Sequence, residues 1–487
     1  MERLTESSNN PIHFVLVPFM SPGHMNPMVD LGKLLAERGM NATIITTPQN
    51  ALRFKSTADH ALQTGLPLKF HELDVFPLIE DGGQQKKCDN LDSLVSAEAM
   101  MKFFKIADLL EEPLMEYLKN EKCRLPLCII SDWIFLWASK LATELNIPRF
   151  VFYCMPCFTL ACTEILTTTW EGDQIVVPEI PHRIELVREQ ANVFFYGDAE
   201  LQKLWKKGDS VSDGIIVNTC MGIEPTYVDI YRRRKGKNIW TVGPVGMCNR
   251  DMADKATRGL KSSSISATEI STFLDSMDPK SVIYVCFGTL SCTSSEQVIE
   301  ICLGLMDSAH PFILVIQPKT NSVEIESWME SNRFEERNKD TGLVIRGWAP
   351  QVMILSHPSV GGFVTHCGWN STLEGISAGL PMVTWPSFSD QFLNERFIVD
   401  VLEIGVMVGV KDPVWWWEEV VSVKREKFLK AVKELMGDGE EAVMRRRKAL
   451  KLKKMADESM DIDGSSTNQL NALIQHVVEL YEEKKTV

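Results

Sequence analysis

The sequence predicts an α/β protein of two doubly wound domains facing each other across a cleft. Short apolar runs of strand length alternate with helical stretches in both halves of the chain, the pattern left by parallel sheets with helices on both faces. The stretch at 244–268 carries Pro244, Gly246, Asn249, Gly259 and a serine cluster with little periodicity, which reads as an exposed linker between the halves. The length of 487 residues also exceeds what one hydrophobic core supports.

The first half, 1–243, opens with an apolar β-rich run at 12–18, then a loop through Met20, Ser21, Gly23 and His24, then a helix. Pro27 suits the first turn of that helix and Gly39 its C-terminal cap. A long helical region at 98–119 follows, and a strand at 127–130 delivers Asp132 at its carboxyl end. Strand ends on one side of a parallel sheet lie together, so Asp132 is within reach of His24 despite the sequence gap. A carboxylate on one ring nitrogen fixes the tautomer and raises the basicity of the other, giving a general base poised near neutral pH. Strands at 150–153, 214–218 and 239–242 complete this half. Cys154 and Cys157 have the spacing of a redox dithiol at a helix start, but they lie deep in a long alternating pattern, where buried packing or pocket lining fits better.

The second half, 269–465, repeats the alternation. A strand at 281–287 runs into the turn Gly288-Thr289, Ser294 and Gln297 form a capping box for the next helix, and strands at 312–316 and 343–345 lead to Trp348. The stretch 348–391 then holds the densest chemistry in the chain. An apolar strand ends at His366 and Cys367, Gly368 lets the chain turn sharply, and Trp369, Asn370 and Ser371 open a helix of small residues. The unpaired amides of a helix start, with the dipole behind them, bind anions, and the Asn370 and Ser371 side chains add hydrogen bonds to such an anion. Glu374, one turn further, is placed to accept from two ribose hydroxyls. Trp348 offers a face for a base, Gln351 an amide for a base or sugar edge, and Asp390 and Gln391 close the stretch with an acceptor and an amide. Together these groups suit a base, a ribose, a diphosphate and a second sugar.

These 44 residues, from Trp348 to Gln391, resemble in length and residue types the donor-sugar box of the plant family-1 UDP-glycosyltransferases. The resemblance implies a GT-B fold of two Rossmann-like domains, the acceptor bound by the first and the donor by the second, with the last helix, 466–487, crossing back onto the first domain. It implies donor contacts from Thr289, Trp348, Ala349, Gln351, His366, Trp369, Asn370, Ser371, Glu374, Asp390 and Gln391. His24 in its Pro-Gly-His loop takes the proton of the acceptor hydroxyl and Asp132 steadies it. Transfer then inverts the anomeric centre, with no cofactor and no metal, because neutral amides and hydroxyls stabilise the departing UDP. No Lys or Arg lies between Cys367 and Gln391, so UDP-glucose is the expected donor, with galactose, xylose and glucuronate as alternatives. The first domain resembles the branch acting on triterpenoids, steroids and flavonoids, with Met20 and Ser21 in the acceptor pocket. A non-catalytic UDP-sugar-binding protein is the alternative of another class.

This chain departs from relatives at Leu314 and Gln317, where the family commonly has Trp and Arg, and Trp415, Trp416 and Trp417 form an unusual cluster that lines an acceptor entrance or packs between helices. Asp461 and Asp463 match the Asp-x-Asp metal motif of another glycosyltransferase fold, but a polar joint between helices assigns them to a loop. A net charge of −14 argues against nucleic acid or an anionic membrane surface as main partner, since both need a clustered basic field. No apolar run reaches the ~18 residues of a membrane span and 1–10 lacks a signal-peptide core, so a cytoplasmic monomer with reduced cysteines is expected. The sequons at Asn41 and Asn370 are then chance matches.

Overall fold

The computed structural model describes residues 12–486 except 88, 121–126, 171, 191–198, 260–262, 291, 292, 319, 321, 415–419, 421 and 422. The tryptophan cluster Trp415 to Trp417 lies outside the described residues. Seven parallel strands form the first sheet: β1 His13–Val17, β2 Asn41–Thr46, β3 Leu68–Glu72, β4 Cys128–Asp132, β5 Arg149–Tyr153, β6 Gly214–Val217 and β7 Ile239–Thr241. Their order is β7-β6-β5-β4-β1-β2-β3. Six more form the second: β8 Val282–Cys286, β9 Phe312–Ile316, β10 Gly342–Arg346, β11 Val360–Thr365, β12 Met382–Thr384 and β13 Gly405–Met407, in the order β10-β9-β8-β11-β12-β13. Nearly all of these strands are buried along their length, as apolar strands covered on both faces must be.

Strand order decides where chemistry can sit. The chain runs from β1 outward to β3 and returns to place β4 on the other side of β1; likewise it runs from β8 to β10 and returns with β11 beside β8. At such a switch point the connections leave in opposite directions and open a crevice at the carboxyl ends. His24 and Asp132 follow β1 and end β4; Thr289 and His366 follow β8 and β11.

The two sheets share hydrophobic core. One apolar cluster joins Val151, Tyr153 and Phe158 of the first half to Tyr284, Trp369 and Phe397 of the second. Phe158 stacks on Phe397 with centroids 4.9 Å apart. The final helix, Ser465–Thr486, buries Leu470, Leu473, Ile474 and Val477 in the core of the first domain, and Ser466 Oγ donates to the Gly243 carbonyl at 2.6 Å.

Three local expectations change. The region 98–119 is two helices, Ala97–Ile106 and Glu111–Lys119, joined by a 3₁₀ turn, and Pro113, which lacks an N–H, sits in the first turn of the second. At Ser294 only half a capping box forms: its hydroxyl accepts from the Gln297 amide, while the Gln297 side chain bonds both ways with the Val423 backbone at 2.7 and 2.9 Å. A complete box stands instead at Ser266 and Glu269, where the second domain begins its first helix. The helix after β1, here α1, spans Pro22–Ala36, so Pro22 holds the N-terminal position, Pro27 lies inside, and His24 stands in the first turn instead of on a loop.

Candidate active site

Helix α1 aims His24 at the end of β4. Its Nδ1 lies 2.5 Å from Asp132 Oδ2, with the carboxylate fully buried and 30% of the imidazole side chain exposed. The Asp132 carbonyl accepts from Arg149 Nη2 at 3.2 Å, and Arg149 Nε reaches Ser131 Oγ at 2.9 Å, which fixes the strand end from behind. Burial disfavours the imidazolium, but attraction to Asp132, the hydrogen bond it accepts, and the charge of Asp390 outweigh that and leave the His24 pKa above its ordinary value. With Nδ1 engaged, Nε2 is the position left to take a proton.

The facing wall comes from the second domain. Cys367 carries φ +65° at the end of β11, and Gly368 has φ −61°, so the sharp turn predicted at the glycine is made by the cysteine. Asn394 Nδ2 holds the Cys367 carbonyl at 2.9 Å in that strained position. Gly368 is needed for closeness: a Cβ there would sit 2.4 Å from His366 Nε2, and one on Gly288 would sit 2.5 Å from His366 Cε1. The imidazole is thus wedged between two backbones. Burial pushes its pKa down to about 4, so near neutral pH it is an uncharged donor, and its Nδ1 is buried without a partner among the described residues. Thr289 and the first turn of the helix Trp369–Ala378 flank it.

Beyond this turn Gln351 Nε2 donates to Ser371 Oγ at 3.0 Å and to Glu374 Oε2 at 2.7 Å, and Tyr284 donates to Gln351 Oε1 at 3.4 Å. Trp348 Nε1 is buried without a partner among the described residues, beside the buried Ala349. At the other end Asp390 accepts from Asn394 Nδ2 at 2.8 Å. Burial raises the Asp390 pKa, which the hydrogen bond from Asn394 and the charge of His24 partly oppose. His24, Thr289, His366, Glu374 and Asp390 line a single cleft.

The family model for the glycosyltransferase N-terminal domain matches residues 10–247, and that for UDP-glucoronosyl and UDP-glucosyl transferase matches 248–449. UDP-glycosyltransferase 73C5 of Arabidopsis thaliana is 43% identical over 98% of this chain and 98% of its own. The chain belongs to the plant family-1 UDP-glycosyltransferases. UDP-glycosyltransferase 73C25 of Barbarea vulgaris is also 43% identical, with 99% of each chain covered. Among solved structures, Glycyrrhiza uralensis UGT73P12 complexed with glycyrrhetinic acid 3-O-monoglucuronide is similar with a TM-score of 0.87, 32% identity and 98% of each chain covered. Arabidopsis thaliana UGT89C1 complexed with UDP-L-rhamnose gives a TM-score of 0.73 at 28% identity, covering 97% of this chain and 100% of its own. The glycosyltransferase therefore has the GT-B arrangement and transfers sugar to small molecules.

Met20 departs from its sequence reading, and Trp369, Asn370 and Gln391, which line the cleft, also hold the protein together. Met20 is fully buried: its carbonyl accepts from Leu91 N at 2.9 Å and its sulfur meets Asn50 Nδ2 at 3.8 Å, so it faces the core while Phe19 and Ser21 on either side line the cleft. Asn370 lines the cleft, and its Nδ2 donates to the Gly23 carbonyl at 2.6 Å. Trp369 is 2% exposed, and its indole N–H donates to the Asn218 carbonyl at 2.7 Å, which ties the domains together. Gln391 Oε1 accepts from the amides of Ser387 and Phe388 at 2.8 and 3.1 Å and thereby shapes the loop carrying Asp390.

Other cleft residues were not read from the sequence. Phe104, Trp133, Met155, Leu290 and Phe388 supply its apolar side, and Lys255 and Arg258 reach it from the linker. Scattered single aromatics in loops carry no periodic signal, so only the fold gathers them. Cys154 lines the cleft, whereas Cys157 starts a helix whose first amides, of Cys157 and Phe158, donate to Glu224 at 2.9 and 2.7 Å. Burial pushes both thiols well up, which removes the thiolate that redox exchange needs. Asp461 and Asp463 are exposed at the joint between the last two helices. Among the described residues no three His, Cys, Asp or Glu side chains converge on a metal-sized site, and no helix is long and apolar enough to cross a membrane.

Proposed function

We propose that this chain transfers glucose from UDP-glucose to a hydroxyl of a lipophilic plant small molecule, a triterpenoid, steroid or flavonoid, with inversion to a β-O-glucoside and without a metal ion. The observation that carries the proposal is His24 held by Asp132 at 2.5 Å in the cleft that also receives Thr289, His366 and Glu374. His24 Nε2 takes the hydroxyl proton as the acceptor oxygen attacks the anomeric carbon from the side opposite UDP. A single in-line displacement inverts that carbon. The charge that develops on the diphosphate meets the uncharged His366, the Thr289 hydroxyl and the amides opening the helix Trp369–Ala378.

Asp390 stands near His24, at the sugar end, where a uronate carboxylate would be repelled, which supports a neutral hexose over glucuronate. Galactose and xylose present no such charge and remain the alternative donors. The apolar side, from Phe104 and Trp133 to Met155 and Phe388, suits a planar or polycyclic acceptor, as does the glycyrrhetinic acid derivative held by the similar Glycyrrhiza uralensis protein. The proposal includes a cytoplasmic monomer.

The test is UDP release from UDP-glucose, UDP-galactose and UDP-xylose in EDTA, across flavonoids, triterpenoid and steroid alcohols and simple phenols, with the product anomer read by NMR. Acceptor-dependent release in EDTA, fastest with UDP-glucose and yielding a β-glucoside, is the expected result. UDP binding with no transfer to any acceptor would favour the non-catalytic binding protein, and an α-product would overturn the displacement.

A further inference from the structure

The linker is a third wall of the donor site. Its short helix Met252–Thr257 packs against the helix Gln351–Leu355 of the donor box, and its other side grips α1 through an ion pair between Asp254 and Lys33. The residue after this helix is Arg258. Its guanidinium donates twice to Asp30 of α1, at 2.6 and 2.9 Å, and its third nitrogen, Nη1, pairs with Glu374 Oε1. Asn249 Nδ2 takes the other Asp30 oxygen at 2.8 Å. Gly259 then turns away with φ +68°, where a Cβ would lie 2.8 Å from Asn26 Oδ1, so the chain beside Arg258 is confined.

The arrangement has a consequence for Glu374. Arg258 is 11% exposed, Asp30 4% and Glu374 13%, so two nearly buried carboxylates share one cation that stays charged at any working pH. Without it, Glu374 would keep Gln351 as an anchor but lose the cation that ties it to Asp30, and its carboxylate would be free to swing away. Arg258 and Gln351 engage one oxygen each, and a carboxylate offers about four acceptor positions, so two remain for ligand hydroxyls.

We propose that Arg258 is a positioning residue for the donor: it holds Glu374 ready to accept the ribose hydroxyls and, through Asp30, makes that readiness depend on the first domain. The proposal rests on the reading of Glu374 as the ribose acceptor. It assigns the linker a part in donor recognition beyond joining two domains.

The test compares binding of UDP and of 2′,3′-dideoxy-UDP by calorimetry to the full-length protein and to Arg258→Ala, Arg258→Lys, Asp30→Asn and Glu374→Gln, alongside steady-state kinetics with UDP-glucose. The wild type is expected to prefer UDP over the dideoxy analogue by about a hundredfold, and Arg258→Ala to lose about tenfold or more of that preference. KM for UDP-glucose should rise about tenfold in Arg258→Ala, with kcat changed less than about threefold. Arg258→Lys should recover only part, because one ammonium cannot span both carboxylates, and Asp30→Asn should weaken the preference in the same direction by a smaller factor. If Arg258→Ala does not fold, those two variants decide alone. A wild type indifferent to the ribose hydroxyls would overturn the reading of Glu374 and the proposal with it. A discriminating wild type whose variants at 258 and 30 discriminate equally would overturn the role of Arg258 and leave Glu374 standing.

Discussion

His24 and His366 share a ring and differ in everything the chain does to it. His24 has a buried carboxylate on Nδ1 and a second, Asp390, nearby, so its protonated form is favoured despite burial. His366 has no such partner among the described residues, and burial holds its pKa at about 4. The sign of the pH dependence follows. Only the deprotonated His24 is a base, so kcat/KM should rise with pH through a value above the ordinary 6.5 of a free imidazole, and His366, neutral throughout, should contribute no limb. In Asp132→Asn the acidic limb should move to lower pH while the plateau falls by about 10²-fold or more, since the ring also loses its fixed tautomer. An unmoved limb in that variant would assign the titration to another group.

At the scale of elements, the junction of α1 with the helix Trp369–Ala378 explains why Asn370 Nδ2 turns to Gly23. A helix carbonyl normally receives the amide four residues on, but for Gly23 that residue is Pro27, which has none. The orphaned carbonyl is taken by Asn370 Nδ2 at 2.6 Å, which links the turn carrying His24 to the helix start beside His366. Asn370→Ala should therefore lower kcat/KM by about tenfold with the pH limb unchanged, because the base loses registry with the donor and keeps its carboxylate. A loss confined to UDP affinity would instead assign Asn370 to the diphosphate.

The same junction shows what was legible in the sequence. Apolar strand runs with His24, Asp132, Thr289 and His366 at or just beyond their carboxyl ends announce both crevices because parallel sheets put such ends together. Side-chain direction was not legible at Met20, which sits at a tight turn where Ser21 N donates to the Phe19 carbonyl at 2.7 Å, nor at Trp369, whose indole turns to Asn218 of the other domain. Arg258 was hidden for a different reason. It stands in an aperiodic linker, and only the folded path of that linker brings it between Asp30 and Glu374.

For the whole molecule, His24 and the stretch 348–391 belong to different sheets and meet because an apolar core bridges the halves, polar contacts from Trp369, Asn370 and Arg258 cross between them, and the last helix returns to the first domain. On the proposed mechanism, a base from one domain deprotonates an acceptor that attacks a donor held by the other. The most direct test is His24→Ala, measured for transfer from UDP-glucose and, on the same preparation, for UDP affinity. Transfer should fall by at least about 10²-fold with UDP affinity within about threefold of wild type. Transfer retained at the wild-type rate would contradict the account.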